Sequence, residues 1–178
     1  MVVRPRGVSR FVAAVMAVVM CVLAGCKIEG TVDFQADGRT RIALTFEDAD
    51  GLLGKIHQTC EDFRVVFEGR VKFIKNPKIE DITPPGGHVK CKVTSNEPFQ
   101  GRVRFTEQEG MYHFVVPDVH DNEDYSDFRT RIIVSMPGRV IKATKGRIEG
   151  NKVIVNTFNF FTRGISITAR KGQGSSAG

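Results

Sequence analysis

Residues Lys27 to Asp48 read KIEGTVDFQADGRTRIALTFED, and this stretch decides the fold. Apolar side chains recur at alternate positions on both sides of a turn at Ala36-Asp37-Gly38. They are Ile28, Val32 and Phe34 before the turn, and Ile42, Leu44 and Phe46 after it. Because two-residue alternation is typical of strands with one buried face, the segment predicts a β-hairpin.

The same alternation continues along the chain and predicts a sheet built largely from hairpins. A turn at Gly150-Asn151 sets Ile148 opposite Val153 in the tightest of these hairpins. Further strands are expected within Lys78–Thr83, His88–Thr94, Arg102–Thr106, Met111–Val116, Phe128–Met136 and Ile165–Ala169.

One helix is predicted from Asp50 to Cys60, with Asp48 or Asp50 as its cap. Its apolar stripe at three-to-four spacing consists of Leu52, Leu53, Ile56 and Cys60. Together with about eight or nine strands, this predicts an α+β single domain with one main helix. Its antiparallel sheet is expected to be barrel-like or strongly curved.

The first 26 residues have the pattern of an export signal. Arg4, Arg6 and Arg10 precede an apolar run, Phe11–Leu23, that is short for a membrane span. The run closes on Leu23-Ala24-Gly25-Cys26, which resembles a bacterial lipobox. This resemblance implies a signal peptide over residues 1–25, cleavage before Cys26 and acylation of its sulfur by at least a diacylglycerol. The alternative is an ordinary secretory signal, or an uncleaved short anchor, with a chance cysteine.

Cleavage would leave 153 of the 178 residues and lower the net charge from +6 to +3, because three arginines leave with the signal. We expect one domain over residues 26–170 and a flexible polar tail over 171–178. The acyl chains would hold it on the extracytoplasmic face of the cell membrane. Nucleic acid is not an expected partner there.

Two cysteines remain for pairing after the signal and the lipidated residue are set aside. Cys60 and Cys91 would lie in an oxidising compartment, which favours a disulfide between them. The alternative is a pair of buried free thiols, because the sequence does not give the distance between the two residues.

The second half carries a signature that resembles a known family. Met136–Val140 reads as a Pro-Gly strand end, and Gly146–Val153 as a Gly-Asn hairpin. With the lipobox, the opening strand pair and the expected helix, these segments resemble actinobacterial envelope lipoproteins of the mycobacterial LppM type over roughly Cys26 to Arg170. Met136 stands where that family usually has an aromatic residue, and no apolar helix follows Arg170. The resemblance implies a mixed α/β fold with an apolar cavity, and binding of envelope lipids such as phosphatidylinositol mannosides.

Apolar side chains suggest where such a lipid would bind. A cavity beneath the helix stripe would take acyl chains, and the phenylalanines cluster where strand parity breaks near residue 158. The alternative is that these side chains fill a solid core. The candidates are Leu52, Leu53, Ile56, Phe158, Phe160 and Phe161.

Basic residues alternate with apolar ones on three expected strands and are candidates for contact with lipid head groups. The alternative is a solvated face whose cations discourage edge pairing. These residues are Lys90, Lys92, Arg102, Arg104, Arg129 and Arg131.

Motifs of catalysis are absent from the sequence, which has no His-Glu-x-x-His, Gly-x-Ser-x-Gly or Walker pattern. The acidic run from Asp118 to Asp124 lacks the spacing of a calcium loop, so neither a metal nor a cofactor is expected. The leading hypothesis is a non-catalytic, acyl-anchored lipoprotein that binds or senses envelope lipids. The alternative is a protein-interaction or assembly module on the same face of the membrane, without a lipid pocket.

Overall fold

The computed structural model describes residues 26–51, 59–62, 64, 74–118, 131–156, 160 and 163–172, without the side chains of residues 26 and 163. These residues form eleven strands, numbered in chain order. Their bounds are β1 Cys26–Phe34, β2 Thr40–Asp48, β3 Lys78–Asp81, β4 Lys90–Ser95, β5 Arg104–Gln108, β6 Met111–Asp118, β7 Arg131–Ser135, β8 Arg139–Ala143, β9 Arg147–Glu149, β10 Lys152–Asn156 and β11 Arg163–Arg170.

The strands form two sheets. Sheet A has seven strands in the order β3-β4-β2-β1-β7-β10-β9, and sheet B has four in the order β5-β6-β11-β8. The expected barrel is therefore wrong for the described residues, because sheet A ends on the edge strands β3 and β9 instead of closing. Described helical backbone is confined to residues 60–62, 64 and 160, so this part of the chain is mainly β rather than α+β.

The hairpins expected from the sequence are confirmed. β1 pairs with β2 with Val32 opposite Ile42, and β9 pairs with β10 with Ile148 opposite Val153. The β3–β4 and β5–β6 hairpins also form. Each joins strands that are close in sequence, so turn chemistry and side-chain parity are enough to set the register.

Pairings between distant segments depart from expectation. β1 runs parallel to β7, with Gly30 opposite Ile132, so sheet A is mixed rather than antiparallel. β8, which was not expected as a separate strand, pairs with β11 across a register shift. Both pairings join strands far apart in sequence, so no turn between the partners indicates them.

The expected end of the helix, at Cys60, also needs correction. The side chain of Asp62 accepts hydrogen bonds from the backbone N–H and the hydroxyl of Thr59, both at 3.0 Å. A threonine at the cap with an acidic residue three positions later marks the start of a helix. Cys60 therefore lies at the beginning of a helical segment, not at the end of one; the preceding residues 52–58 lie outside the described part.

The inner faces of the two sheets share one hydrophobic core. The ring of Phe34 on β1 stacks on Phe105 of β5 at 4.6 Å between centroids and contacts Phe114 of β6 at the same distance. Sheet A also contributes Leu44, whose exposed fraction is 1%. Paired aromatic rings of this kind add stabilisation beyond the area they bury, so they bind the two sheets into one unit.

This packing gives a test of the sheet assignment on one strand. We expect Phe114→Ala to lower the free energy of unfolding by about 3–5 kcal/mol, because it opens a cavity between the sheets. Val115 is the next residue of β6 and is 38% exposed on the opposite face. Val115→Thr should therefore change stability by less than about 1 kcal/mol. Urea unfolding of both variants measures the difference, and equal losses would contradict the assignment.

Candidate functional site

The proposed lipidation residue begins the first strand. β1 starts at Cys26, which lies opposite Asp48 at the end of β2. The backbone N–H of Asp48 donates to the carbonyl oxygen of Val89 at 3.0 Å, so the turn between β3 and β4 lies at the same end of sheet A. We call this end, made of Cys26, Asp48 and residues 82–89, the Cys26 end.

The two cysteines singled out by the sequence form the expected disulfide. Cys60 and Cys91 are bonded, with their Cα atoms 5.6 Å apart. Cys91 lies on β4 opposite Phe46, on the inner side of sheet A. Both cysteines are almost fully buried, so the bond fixes the start of the helical segment against this sheet.

Of the six apolar candidates for a lipid pocket, Phe160 alone falls among the described residues. It is 1% exposed, and its ring centroid lies 6.1 Å from that of Phe114 in the shared core. The others lie outside the described residues: Leu52, Leu53, Ile56, Phe158 and Phe161.

The cationic candidates are not brought to one surface. Lys90, Lys92 and Arg131 lie on the outer face of sheet A, whereas Arg104 lies on the outer face of sheet B. Arg102 lies in the turn before β5, and residue 129 is outside the described part. Alternation within each strand had indicated pairs of cations on one face, but the sheet to which each face belongs depends on the tertiary pairing.

On the outer face of sheet A, cations lie beside anions. Lys90 forms an ion pair with Glu47 at 3.0 Å, and Lys92 lies opposite Glu80 in the β3–β4 ladder. Arg131 lies opposite Glu29 in the pairing of β1 with β7. The hydrogen bond from Lys90 holds the pKa of Glu47 below its usual value, against a smaller effect of burial. Lys90 therefore has a protein partner, and Lys92 and Arg131 each lie opposite a carboxylate, an arrangement that stabilises a ladder.

The outer face of sheet B has a different charge pattern. Its strand positions carry four cations and no carboxylate among the described residues. Half-buried His113 lies near their centre, with its Nδ1 3.4 Å from the hydroxyl of Thr168. The cations are Arg104, Arg139, Lys142 and Arg170.

Sequence reasoning found Arg104 but missed the other three cations of this face. Arg139 and Lys142 lie on β8, the strand that was not expected. Arg170 is the last residue of the expected domain and follows the expected strand Ile165–Ala169. The available signal was the parity of β11, which places Arg170 on the face opposite buried Ala169.

The described residues hold no cluster of three or more metal-ligating side chains. Nor does any helix among them have the length and hydropathy needed to cross a membrane.

No protein-family model matches the chain, and no curated protein does. Among solved structures, the chain is similar to the folded domain of LppM from Mycobacterium tuberculosis, determined by NMR. The match has a TM-score of 0.41 and 10% identity, and covers 82% of this chain and 90% of that domain. A TM-score below 0.5 at this identity does not establish a shared fold or family.

Removal of the disulfide should destabilise the domain measurably. The bond joins residues separated by 31 positions. On the chain-entropy model, a loop of that size contributes on the order of 3–4 kcal/mol. We expect the double variant Cys60→Ser, Cys91→Ser to lose about this much free energy of unfolding in urea. A reductant should lower the unaltered protein to the same level and leave the variant unchanged; insensitivity of the unaltered protein to reductant would contradict the prediction.

Proposed function

We propose that the protein is a cell-envelope lipoprotein, acylated at Cys26, that binds envelope lipid at the membrane surface and catalyses no reaction. The signal pattern of residues 1–25 and the Leu-Ala-Gly-Cys sequence support export and acylation. The observation that carries the proposal is that β1 begins at Cys26 itself. The acylated residue would thus be part of the folded sheet and not of a flexible tether.

Such an anchor orients the domain. Acyl chains on Cys26 insert into the bilayer, so the Cys26 end of sheet A would be held against the lipid head groups. Beside Cys26, the turn between β3 and β4 exposes Pro84 to His88. Lys27 and Lys90 lie on the outer face of sheet A, next to the Cys26 end. Lys27 and Lys90 pair with Glu29 and Glu47, so each attracts anionic lipid by less than the roughly 1 kcal/mol of an unpaired cation near a membrane.

The ligand we propose is an anionic glycerophospholipid of the phosphatidylinositol mannoside kind that the family resemblance implies. Its acyl chains would reach the apolar candidates of the segment 52–56 and of residues 158–161. Phe160, which is described, belongs to the packed core. It would therefore form the floor of a lipid site rather than its mouth.

A second candidate function, the protein-interaction module, has one observation in its favour. Ile141 on β8 and Ile148 on β9 are 45% and 40% exposed, and β9 is an edge strand of sheet A. Exposed apolar residues at a sheet edge are typical of surfaces that pair with another chain. Crosslinked partners without copurifying lipid would favour this function.

Acylation is tested by replacing the modified residue. We expect Cys26→Ser to prevent signal cleavage and acyl transfer at this site. The protein should then lose the mass of a diacylglycerol and, once its signal is removed genetically, fractionate away from membranes. Cys21→Ser, in the expected signal, is the matched control and should leave the anchor intact. A Cys26→Ser protein that kept the acyl mass would refute the proposal.

The orientation is tested by tryptophan fluorescence, because the chain contains no tryptophan. Pro85→Trp places the probe at the Cys26 end, and Ala36→Trp places it in the turn at the other end of β1. The nine residues of β1 separate these ends by roughly 25–30 Å. In vesicles of brominated phosphatidylcholine, we expect quenching at position 85 and little at position 36. Equal quenching would show that the domain does not stand on its Cys26 end.

A further inference from the structure

Two arginines lie directly opposite each other on the outer face of sheet B. Arg170 of β11 is the ladder partner of Arg139 of β8, and both are exposed. Directly opposed residues of an antiparallel pair have Cβ atoms about 4.5–5.5 Å apart, and like charges there destabilise the sheet. The pairing is therefore unfavourable, and an anion between the two guanidinium groups would relieve the repulsion.

The described part of the protein does not supply that anion. Neither arginine forms an ion pair with any described residue, and the outer-face strand positions of sheet B carry no carboxylate. Glu149 lies close to Arg139, because the neighbouring Val140 N–H donates to the carbonyl oxygen of Gly150, but Glu149 is paired with Arg147 at 2.7 Å. Glu107 of β5 is engaged by Lys171 at 2.5 Å. This arrangement differs from the outer face of sheet A, where carboxylates oppose the cations.

The surroundings of the arginine pair fit a phosphate group. Lys142 lies on the same face beside them, opposite Thr168, whose hydroxyl approaches His113. Two planar guanidinium groups bind the oxygens of a phosphate with paired hydrogen bonds, and a lysine adds a point charge. Hydroxyl and imidazole groups extend the set of donors available to a neighbouring oxygen.

The pair is remote from the Cys26 end. β7 runs parallel to β1 and reaches Ser135 opposite Asp33, near the far end of sheet A. Arg139 follows four residues later. Measured along the strands of sheet A, Arg139 and Cys26 are therefore about seven residues, or roughly 20 Å, apart. A bilayer held at Cys26 does not reach it.

We propose that Arg139, Arg170 and Lys142 form a binding site for the phosphate group of a ligand that lies outside the anchoring bilayer. Such a phosphate belongs either to a soluble phosphate ester or to a lipid head group presented by a second membrane. The phosphate site itself does not depend on acylation; its placement outside the anchoring bilayer rests on the proposed anchor at Cys26.

The first test compares the thermal unfolding of the full chain, purified in a neutral detergent, in sodium phosphate and in sodium chloride of equal ionic strength. The double variant Arg139→Ser, Arg170→Ser should be at least as stable as the unaltered protein in chloride, because repulsion is relieved. It should lose most of the stabilisation that is specific to phosphate. The control variant Arg41→Ser, Lys152→Ser removes two outer-face cations of sheet A. Arg41 lies opposite Asp33 and Lys152 opposite Glu149. This variant should keep the stabilisation that is specific to phosphate.

The second test identifies the source of the phosphate. Full chain inserted in phosphatidylcholine vesicles is mixed with separate vesicles that also contain phosphatidylglycerol. Tethering that the double variant weakens about 30-fold, which corresponds to about 2 kcal/mol for two cations, would identify a lipid head group. Phosphate-specific stabilisation without tethering would identify a soluble phosphate ester. An equal response to phosphate in the unaltered protein and the double variant would overturn the proposal, as would binding of an acidic peptide without any response to phosphate.

Discussion

The ring of Phe34 between the two sheets is the contact on which the rest of the structure depends. Phe34 is the last residue of β1. This strand joins the half of sheet A made by β3, β4 and β2 to the half made by β7, β10 and β9. Its contacts with Phe105 and Phe114 join this central strand to sheet B. Loss of this packing would leave two open sheets with apolar inner faces, so the two layers are stable only together.

The sequence predicts those parts of the fold whose partners are close along the chain. Alternation and turn residues determine the β1–β2 and β9–β10 registers, because a slip of one residue would expose every buried side chain. The parallel β1–β7 pair has no such local signal, and a mixed sheet was not expected. The expected helix end at Cys60 is wrong, because Thr59 and Asp62 cap the start of a helical segment there. Residues 52–58 of the expected helix lie outside the described residues.

The candidate site was predictable to a smaller degree than the fold. The disulfide follows from counting the cysteines that remain if the protein is exported as expected, and the structure contains it. The cations could be assigned to faces within each strand, but whether a face is charge-paired depends on the neighbouring strands. Lys92 and Arg131 lie opposite Glu80 and Glu29 through pairings that the sequence does not specify in full. The uncompensated cations on β8 and β11 emerge only when those two strands are adjacent.

The outer faces of the two sheets therefore differ in how far their cations are compensated by carboxylates of the protein. On sheet A, most lysines and arginines of the outer face lie opposite a carboxylate in the ladder or form an ion pair with one. On sheet B, Arg139 and Arg170 oppose each other, a juxtaposition that favourable packing of Val140 and Ala169 on the inner side must offset. The same inner packing fixes the backbone positions from which the two arginine side chains extend, and a preorganised backbone loses less entropy when the side chains bind an anion. Rigid packing of the core thus both imposes the repulsion and makes the surface suited to a phosphate.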